Sequence, residues 1–470
     1  MSEFIHRGVI EGYYGPPYAH ADRLWLVERL GRWGMNRFVY APKDDPLHRA
    51  EWRTPYPGET MEEFAELVAC GSKAGVDVGF ALSPGLSIEY GSSADREALA
   101  GKLLAFRELG ARFFGLALDD VPTALAHDGD RRAFRSLAHA HTELAHDLLR
   151  ALGPDITLVL VPTDYMGTEP TAYLEELGGS LDPAIEVAWT GRTVVSPTIP
   201  RAEAERRAAT LRRRLLLWDN VPVADGPMRP MLHLGPYRGR DAGLTAFASG
   251  ALLNPMQHPR ASALALRTAA DFLRDPERYD PEVSWRNAAR ELGDGAPEAF
   301  TRFAAAHRFS CLSPDDRDAE LEAAIREVRE GHAPAQTLKT LLEDRLAAAD
   351  ALRRELADRA LAAEIEPWIE SHHRESRRMA AAAELLAVLE GDANRMAKGI
   401  AFLTMEGRLT RIAPSTCASY GPRRVVYPQF ACLHDDAAAF GGDPVLFRDR
   451  CLGDELVAFA EKRALEALRA

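Results

Sequence analysis

Short apolar runs that end in polar or glycine-rich residues recur along the chain from His6 to Pro255. Such runs are typical of buried strands, and each is followed by a segment in which apolar residues recur with helical spacing. Eight such strand–helix units are predicted, with strands at 7–10, 38–41, 76–82, 113–118, 156–161, 185–189, 215–218 and 252–253. This alternation predicts a (β/α)8 TIM barrel, a fold whose active site lies at the carboxyl ends of its strands.

A doubly wound open sheet is the alternative arrangement of alternating strands and helices. Such a sheet usually carries a glycine-rich phosphate-binding turn directly after its first strand. The segment Glu11–Pro17, which reads EGYYGPP, does not fit this turn. The pattern therefore favours the closed barrel.

The composition of the chain changes near residue 280, after the last strand–helix unit. Two prolines within 275–281 predict a linker, beyond which Ala, Leu, Glu and Arg recur with helical periodicity up to residue 412. Long amphipathic helices are predicted at 320–329, 336–361 and 365–391, and a final helix at 453–470. Because 470 residues are too many for one ordinary core, we predict a catalytic barrel at 1–275 and an all-α C-terminal domain at 281–470, loop-rich at 413–451.

Composition and charge narrow the class of protein. The formal net charge of −13 argues against a nucleic-acid partner, and no apolar stretch approaches the roughly 20 residues that span a bilayer. Five cysteines without a C-x-x-C pair favour buried thiols in a reducing compartment over a disulfide framework or a zinc knuckle. Because the first predicted strand begins within about ten residues of Met1, we expect no signal peptide and a cytoplasmic protein.

Two consecutive aspartates, Asp119 and Asp120, close the apolar run 113–118. Burying unpaired charge is costly, so the pair is expected at the exposed end of the strand, facing a cleft. An isolated aspartate pair is more often a loop or helix cap, or part of a metal site, than a catalytic pair. The polar residues that end the other predicted strands favour a shared site at the barrel mouth.

Several short motifs at the predicted strand ends resemble, in order, those of glycoside hydrolase family 84. This is the family of β-N-acetylglucosaminidases that includes protein O-GlcNAcase and bacterial hexosaminidases once described as hyaluronidases. The resemblance covers about residues 6–275 and rests on the segments Gly8–Gly15, Tyr40–Pro46, Leu82–Gly85, Leu118–Asp120, Trp189–Gly191, Trp218–Asn220, Leu234–Gly239 and Leu253–Pro255.

The resemblance implies a mechanism in which the 2-acetamido oxygen of the substrate attacks the anomeric carbon and forms an oxazoline. It assigns Asp119 to holding and polarising the acetamide N–H, and Asp120 to general acid/base catalysis. Ordinary glycosidases use two carboxyls that flank the scissile bond, which consecutive residues are poorly placed to do. The adjacency of the two aspartates therefore agrees with the substrate-assisted exception.

The resemblance also implies substrate-binding residues directly after the first, second and fifth predicted strands. The Lys43 ammonium and the backbone at Gly12 bind sugar hydroxyls, since a side chain at Gly12 would block close approach. Tyr165 contacts the acetamide pocket. Without the resemblance, Lys43 would be read as a surface salt bridge and Tyr165 as a packed aromatic.

Four further binding residues are implied at the ends of the last two strands. The Trp218 indole walls the N-acetyl methyl, and the Asn220 amide orients the catalytic carboxylate. Asp225 grips the 4- and 6-hydroxyls, and Asn254 binds a hydroxyl. No cofactor and no metal is implied, because the histidines lack carboxylate partners at ligand spacing.

The sequence thus predicts a hydrolase, an exo-β-N-acetylglucosaminidase of the O-GlcNAcase type that acts on GlcNAc-containing glycosides or glycoproteins with retention. One alternative keeps the fold but acts on GlcNAc derived from glycosaminoglycan or peptidoglycan. Another is a non-catalytic GlcNAc-binding or scaffold protein, against which the intact acid pair argues. A homodimer through the long helices is expected from the family.

Overall fold

A computed structural model describes residues 3–309, 313, 316–412, 417–420 and 451–469. By its internal contacts the chain divides into two compact units. The first comprises residues 1–225, 237–259 and 266–280, and the second comprises 226–236, 260–265 and 281–470. The second unit thus takes two short segments from the sequence before residue 281.

The first unit contains a closed barrel of parallel strands that follow one another in sequence order. The strands are β1 His6–Glu11, β2 Arg37–Tyr40, β3 Asp77–Leu82, β4 Phe113–Ala117, β5 Thr157–Val161, β6 Ile185–Trp189, β7 Leu215–Asp219 and β8 Ala248–Leu253. In β1, Val9 is aligned with Phe38 of β2 and with Leu253 of β8, which closes the barrel. The predicted (β/α)8 barrel is confirmed, and an open sheet, which has two unpaired edges, is excluded.

Apolar side chains from every strand fill the barrel interior. The buried cluster takes at least one residue from each strand: Ile10, Val39, Ala81, Ala117, Val159, Ala188, Leu216 and Leu252. Layers of this kind make the interior a packed core rather than a channel. Polar groups of the mouth must therefore come from positions at or just beyond the strand ends.

Helices follow the strands, and one of the predicted helices is wrong as a single element. The helices are α1 His20–Arg32, α2 Gly58–Ala74, α3 Ser93–Glu108, α4 Asp128–Ala133, α5 Leu137–Leu152, α6 Ala172–Ser180, α7 Arg201–Leu211 and α8 Pro259–Arg274. The periodicity over 131–152 predicts one helix, but α4 and α5 are separated by an extended Phe134. The Ser136 hydroxyl accepts the His139 N–H at 3.0 Å, so an N-cap begins a new helix there.

The second unit is helical, as predicted, with a different break between its longest helices. Its helices are α9 Pro281–Leu292, α10 Pro297–Ala305, α11 Ala319–Glu330, α12 Ala335–Glu355, α13 Arg359–Glu390, α14 Arg395–Leu409 and α15 Leu452–Arg469. The predicted helix at 336–361 runs too far, because the Asp358 carboxylate accepts the N–H groups of Ala360 and Leu361, each at 3.0 Å, and caps α13. Most of the predicted loop-rich stretch at 413–451 lies outside the described residues.

Three of the cysteines lie in the described ranges. Cys70 and Cys417 are half-buried and Cys451 is buried. No helix among the described residues combines the length and the apolar character needed to cross a bilayer.

Two buried histidines make the barrel sensitive to acid. On α5, His141 lies 2.9 Å from the hydroxyls of both Tyr90 and Tyr173, and His48 lies 2.8 Å from the Ala81 carbonyl. Burial lowers the pKa of each imidazole to about 3. The unfolded chain binds these protons near pH 6.5 and the folded chain does not. Each histidine therefore lowers the free energy of unfolding by about 1.4 kcal/mol per pH unit below that pH.

We expect the unfolding midpoint of the barrel to fall as the pH drops from about 6.5 to 5, and His141→Gln to flatten this dependence. Thermal unfolding followed by circular dichroism at several pH values measures it. His332→Gln is the control for replacing a histidine as such, because His332 is exposed and belongs to the helical unit. An equal slope in wild type and His141→Gln would contradict the prediction.

Candidate active site

The acid pair lies just beyond the carboxyl end of β4. The preceding residue, Leu118, is held by the end of β5 on both sides of its backbone. Its N–H donates to the Val161 carbonyl at 2.9 Å, and its carbonyl accepts the Thr163 hydroxyl at 2.9 Å. The chain leaves the sheet at Asp119, so both carboxylates belong to the barrel mouth.

The Asp119 carboxylate is buried, and only one of its two oxygens is bound to the Lys43 ammonium. Its Oδ2 accepts a hydrogen bond from Lys43 Nζ at 2.6 Å. Lys43 follows β2, and its ammonium lies 5.7 Å from the centre of the Trp218 ring. The other oxygen, Oδ1, is buried and has no hydrogen-bond partner among the described residues. Since an unsatisfied buried carboxylate oxygen is costly, this atom is suited to accept an N–H or O–H from a ligand.

The Asp120 carboxylate is exposed and receives two tyrosine hydroxyls. Tyr14 donates to Oδ2 at 2.8 Å and Tyr165 donates to Oδ1 at 3.0 Å. Burial, followed by the charge of Asp120, raises the pKa of both phenols, so both keep their protons at neutral pH. The backbone of Asp120 has φ of 50°, a left-handed conformation that is uncommon outside glycine and recurs at functional sites. The two hydroxyls stabilise the ionised carboxylate and fix its direction.

A chain of amide hydrogen bonds joins the ends of β1, β7 and β8. The Gly12 N–H donates to Asn254 Oδ1 at 3.2 Å, and Asn254 Nδ2 donates to Asn220 Oδ1 at 2.8 Å. Asn220 Oδ1 also accepts the Trp218 indole N–H at 3.1 Å, while its Nδ2 donates to the Val194 carbonyl at 2.6 Å. A Cβ at Gly12 would lie 2.4 Å from a Trp218 ring carbon, so only glycine fits.

The hydrogen bonds of Asn220 do not test the role that the family resemblance gives it. Those described for Asn220 do not reach the acid pair, so the prediction that it orients the catalytic carboxylate stays a prediction.

Asp225 and Tyr165 complete the set of predicted residues. Asp225 is buried, and its Oδ2 accepts the Tyr14 N–H at 2.9 Å. Tyr165, Met166 and Trp218 belong to the buried apolar cluster that also fills the barrel interior. Direct contacts, with Tyr14 as an intermediary, thus connect all the sequence-predicted site residues on one face of the barrel. Their individual roles stay predictions.

Two buried ion pairs hold strand ends next to this site. Glu11, the last residue of β1, receives two hydrogen bonds from Arg23, at 2.7 and 2.9 Å. Burial raises the pKa of the Glu11 carboxyl, although Arg23 acts in the opposite direction. At the end of β7, Asp219 accepts the Arg240 Nε–H at 2.8 Å, directly before Asn220. These pairs fix the backbone next to the predicted site residues Gly12 and Asn220.

Tyr14 and Arg49 contact Asp120, although neither is among the site residues predicted from the sequence. Arg49 lies in the loop after β2, and its guanidinium donates to the Tyr14 hydroxyl at 2.8 Å. Tyr14 lies two positions after Gly12, in the motif that follows β1, and this position could have indicated a site residue. Nothing in the periodicity or motifs singles out Arg49.

Some carboxylate and imidazole groups of the described residues are spaced for metal binding. In the described part of the chain, the carboxylate and imidazole atoms of Glu327, Glu330 and His332 lie within 4.8 Å of one another at the end of α11. These residues are partly or fully exposed and belong to the helical unit. At the mouth, the Lys43 ammonium already balances the Asp119 charge, which does not fit a cation site.

The family model described as beta-N-acetylglucosaminidase matches residues 7–305. The chain belongs to the β-N-acetylglucosaminidase family. This confirms the expected membership of glycoside hydrolase family 84, a family of glycosidases. The match spans the barrel and the first two helices after it.

Relatives and solved structures agree with the family. The protein O-GlcNAcases of Rattus norvegicus and Mus musculus are 35% identical over 271 residues, which is 56% of this chain and 29% of each relative. The chain therefore spans less than a third of the length of these curated relatives. A mutant of the Thermobaculum terrenum O-GlcNAc hydrolase is 30% identical with a TM-score of 0.80, over 99% of this chain and 95% of that one. CpGH84B is 25% identical with a TM-score of 0.77, over 92% and 77%.

Proposed function

We propose that this protein removes terminal β-linked N-acetylglucosamine by substrate-assisted hydrolysis with retention. The observation that carries the proposal is the buried, unpartnered Oδ1 of Asp119 beside the exposed carboxylate of Asp120. Two consecutive carboxylates suit a mechanism whose nucleophile is the substrate's own acetamide. Membership of the β-N-acetylglucosaminidase family supports the same chemistry.

In the first step, the acetamide carbonyl oxygen forms a bond to the anomeric carbon while the glycosidic C–O bond breaks. Asp119 Oδ1 accepts the acetamide N–H, and its charge stabilises the oxazolinium as it forms. Lys43 holds Oδ2 of the same carboxylate, which fixes the free oxygen toward the substrate. Asp120 gives its proton to the leaving oxygen, which departs as a neutral alcohol.

In the second step, water attacks the anomeric carbon and the oxazoline opens. Asp120 is now ionised and accepts the proton of the water. The hydroxyls of Tyr14 and Tyr165, which donate to this carboxylate, stabilise its charge in this state. Two successive inversions at the anomeric carbon restore the β configuration and regenerate the acetamide.

For the natural acceptor we propose GlcNAc linked to protein hydroxyl groups, following the names of the relatives. Turnover of an aryl N-acetylglucosaminide tests the catalytic activity. GlcNAc binding without turnover would instead support a non-catalytic binding protein. Comparing a GlcNAc-modified peptide with glycosaminoglycan and peptidoglycan fragments then distinguishes the acceptors.

The attacking group can be tested through the substrate. Fluorine in the N-acetyl group weakens the carbonyl oxygen as a nucleophile, so the catalytic rate should fall progressively along mono-, di- and trifluoroacetyl substrates. Kinetics on aryl glycosides of this series measure the effect, with NMR to show that the first product is the β anomer. A flat series would indicate that an enzyme carboxylate or water attacks instead.

A homodimer through the long helices and a cytoplasmic location are further expectations from the sequence. Light scattering of the purified chain tests the first, and a molar mass near the 51.7 kDa of one chain would contradict it. Fractionation of cells of the source organism tests the second.

A further inference from the structure

Arg49 forms a hydrogen bond to Tyr14, one of the two tyrosines whose hydroxyls bind the Asp120 carboxylate. The Arg49 guanidinium donates to the Tyr14 hydroxyl oxygen at 2.8 Å, and this hydroxyl donates to Asp120 Oδ2 at 2.8 Å. The same guanidinium lies 5.5 Å from the centre of the Tyr14 ring. A second nitrogen of Arg49 is 3.4 Å from the Asp120 carbonyl oxygen. The three residues come from the loops after β2, β1 and β4.

We call the two hydrogen bonds that connect Arg49 through the Tyr14 hydroxyl to Asp120 the relay. The chemistry of the three groups fixes the direction of these bonds. A phenol hydroxyl carries one proton and can either donate it or turn to accept. A guanidinium has only donors and cannot be deprotonated in a protein, so it must face the lone pairs of the Tyr14 oxygen. The Tyr14 proton is thereby directed to Asp120. Tyr165 receives no such constraint from an arginine among its described hydrogen bonds.

We propose that Arg49 is a positioning residue for the general acid/base Asp120 and acts on it through the Tyr14 hydroxyl. The inference rests on the proposed function, because it assigns the proton transfer to Asp120. With Arg49 in place, the carboxylate is held in one orientation for both protonation of the leaving group and deprotonation of water. Without it, the Tyr14 hydroxyl is free to rotate and Asp120 loses one of its two constraints.

The loop that carries Arg49 is itself fixed, so the guanidinium is preorganised. The Lys102 ammonium on α3 donates to the carbonyls of Leu47, Trp52 and Thr54, at 2.6, 3.1 and 2.6 Å. These bonds fix the backbone on both sides of Arg49. Catalytic geometry depends on support of this kind, because a small displacement of an acid weakens proton transfer.

The test compares R49M with wild type on aryl N-acetylglucosaminides whose phenols differ in acidity. We expect about a tenfold or larger loss of kcat/KM with poor leaving groups and a much smaller loss with the most acidic phenol, because only the former need the proton. R53M is the matched control. Arg53 lies in the same loop, but its guanidinium binds Asp95 and Ser87 and packs over Trp52. R53M should keep the wild-type leaving-group dependence.

A double-mutant cycle with Tyr14→Phe separates the relay from a direct effect. Y14F removes the hydroxyl through which Arg49 acts, so R49M should add little to Y14F, whereas independent effects would multiply. A wild-type leaving-group slope in R49M, or full additivity with Y14F, would overturn the inference. Absence of turnover in wild type would instead reject the proposed function. The two failures are therefore distinguishable.

Discussion

The Asp119→Asn variant is expected to lose about 10²- to 10³-fold of kcat on every substrate, whatever its leaving group. The carboxylate of Asp119 stabilises the positive charge that develops on the oxazolinium, and this charge develops irrespective of which group departs. The loss should therefore be similar for an acidic phenol and for a sugar or serine hydroxyl. Steady-state kinetics on a series of aryl glycosides measure it.

The hydrogen bonds of Asp119 explain why an amide is a poor substitute. The Lys43 ammonium has only donors, so it requires the amide oxygen at the position now held by Oδ2. The NH2 group then lies where Oδ1 is unpartnered and faces the acetamide N–H of the substrate. Two donors would oppose each other at the point where the proposed mechanism needs an acceptor.

A matched control exists in the same unit. Asp130 is fully buried, and its two oxygens accept the N–H groups of Tyr90 at 3.0 Å and Gly91 at 2.7 Å. Asp130→Asn creates the same conflict between donors, but with partners that are not site residues. It should lower the unfolding temperature while kcat per folded molecule stays at the wild-type value. A comparable loss of kcat in both variants would show that the Asp119 effect is structural.

The barrel was predictable because its strands are short apolar runs with sharp ends. The run 113–118 shows this, since Phe113–Ala117 is a strand and the two aspartates follow it within three residues. An apolar interior excludes charge, so the position of Asp119 and Asp120 relative to the strand followed from the cost of burial. Residues at other strand ends, such as Lys43 and Asn254, were predictable only through the resemblance to a known family.

Contacts between side chains from different loops could not be predicted from the sequence. Arg49 meets Tyr14 35 positions earlier in the chain, and Tyr14 meets Asp120 106 positions later. Neither distance has a periodicity, and an arginine in a polar loop usually points to solvent. The helix breaks at Ser136 and Asp358 were missed for a related reason, since capping by a side chain can end a helix inside a continuous apolar pattern.

The Asp120→Asn variant should show the opposite kinetic pattern to Asp119→Asn. General acid catalysis is worth about 10²- to 10⁴-fold, and this is the loss expected with poor leaving groups such as sugars or serine. An acidic phenol departs without protonation, so the loss should be mild until hydrolysis of the oxazoline limits turnover. A pre-steady-state burst of phenol release in this variant would report that change of limiting step.

The structure indicates that this substitution removes the proton without disturbing the site. The amide oxygen can accept the Tyr14 hydroxyl, whose direction Arg49 fixes, while the amide nitrogen faces Tyr165, whose hydroxyl can rotate to accept it. The unfolding temperature of Asp120→Asn should therefore stay close to that of wild type. If Asp119→Asn shows the steep dependence on leaving-group acidity and Asp120→Asn a uniform loss, the two roles are reversed. The position of the pair beyond β4 would still fit a catalytic role. The contact of Asp119 with Lys43 and the contacts of Asp120 with Tyr14 and Tyr165 would then need a different interpretation.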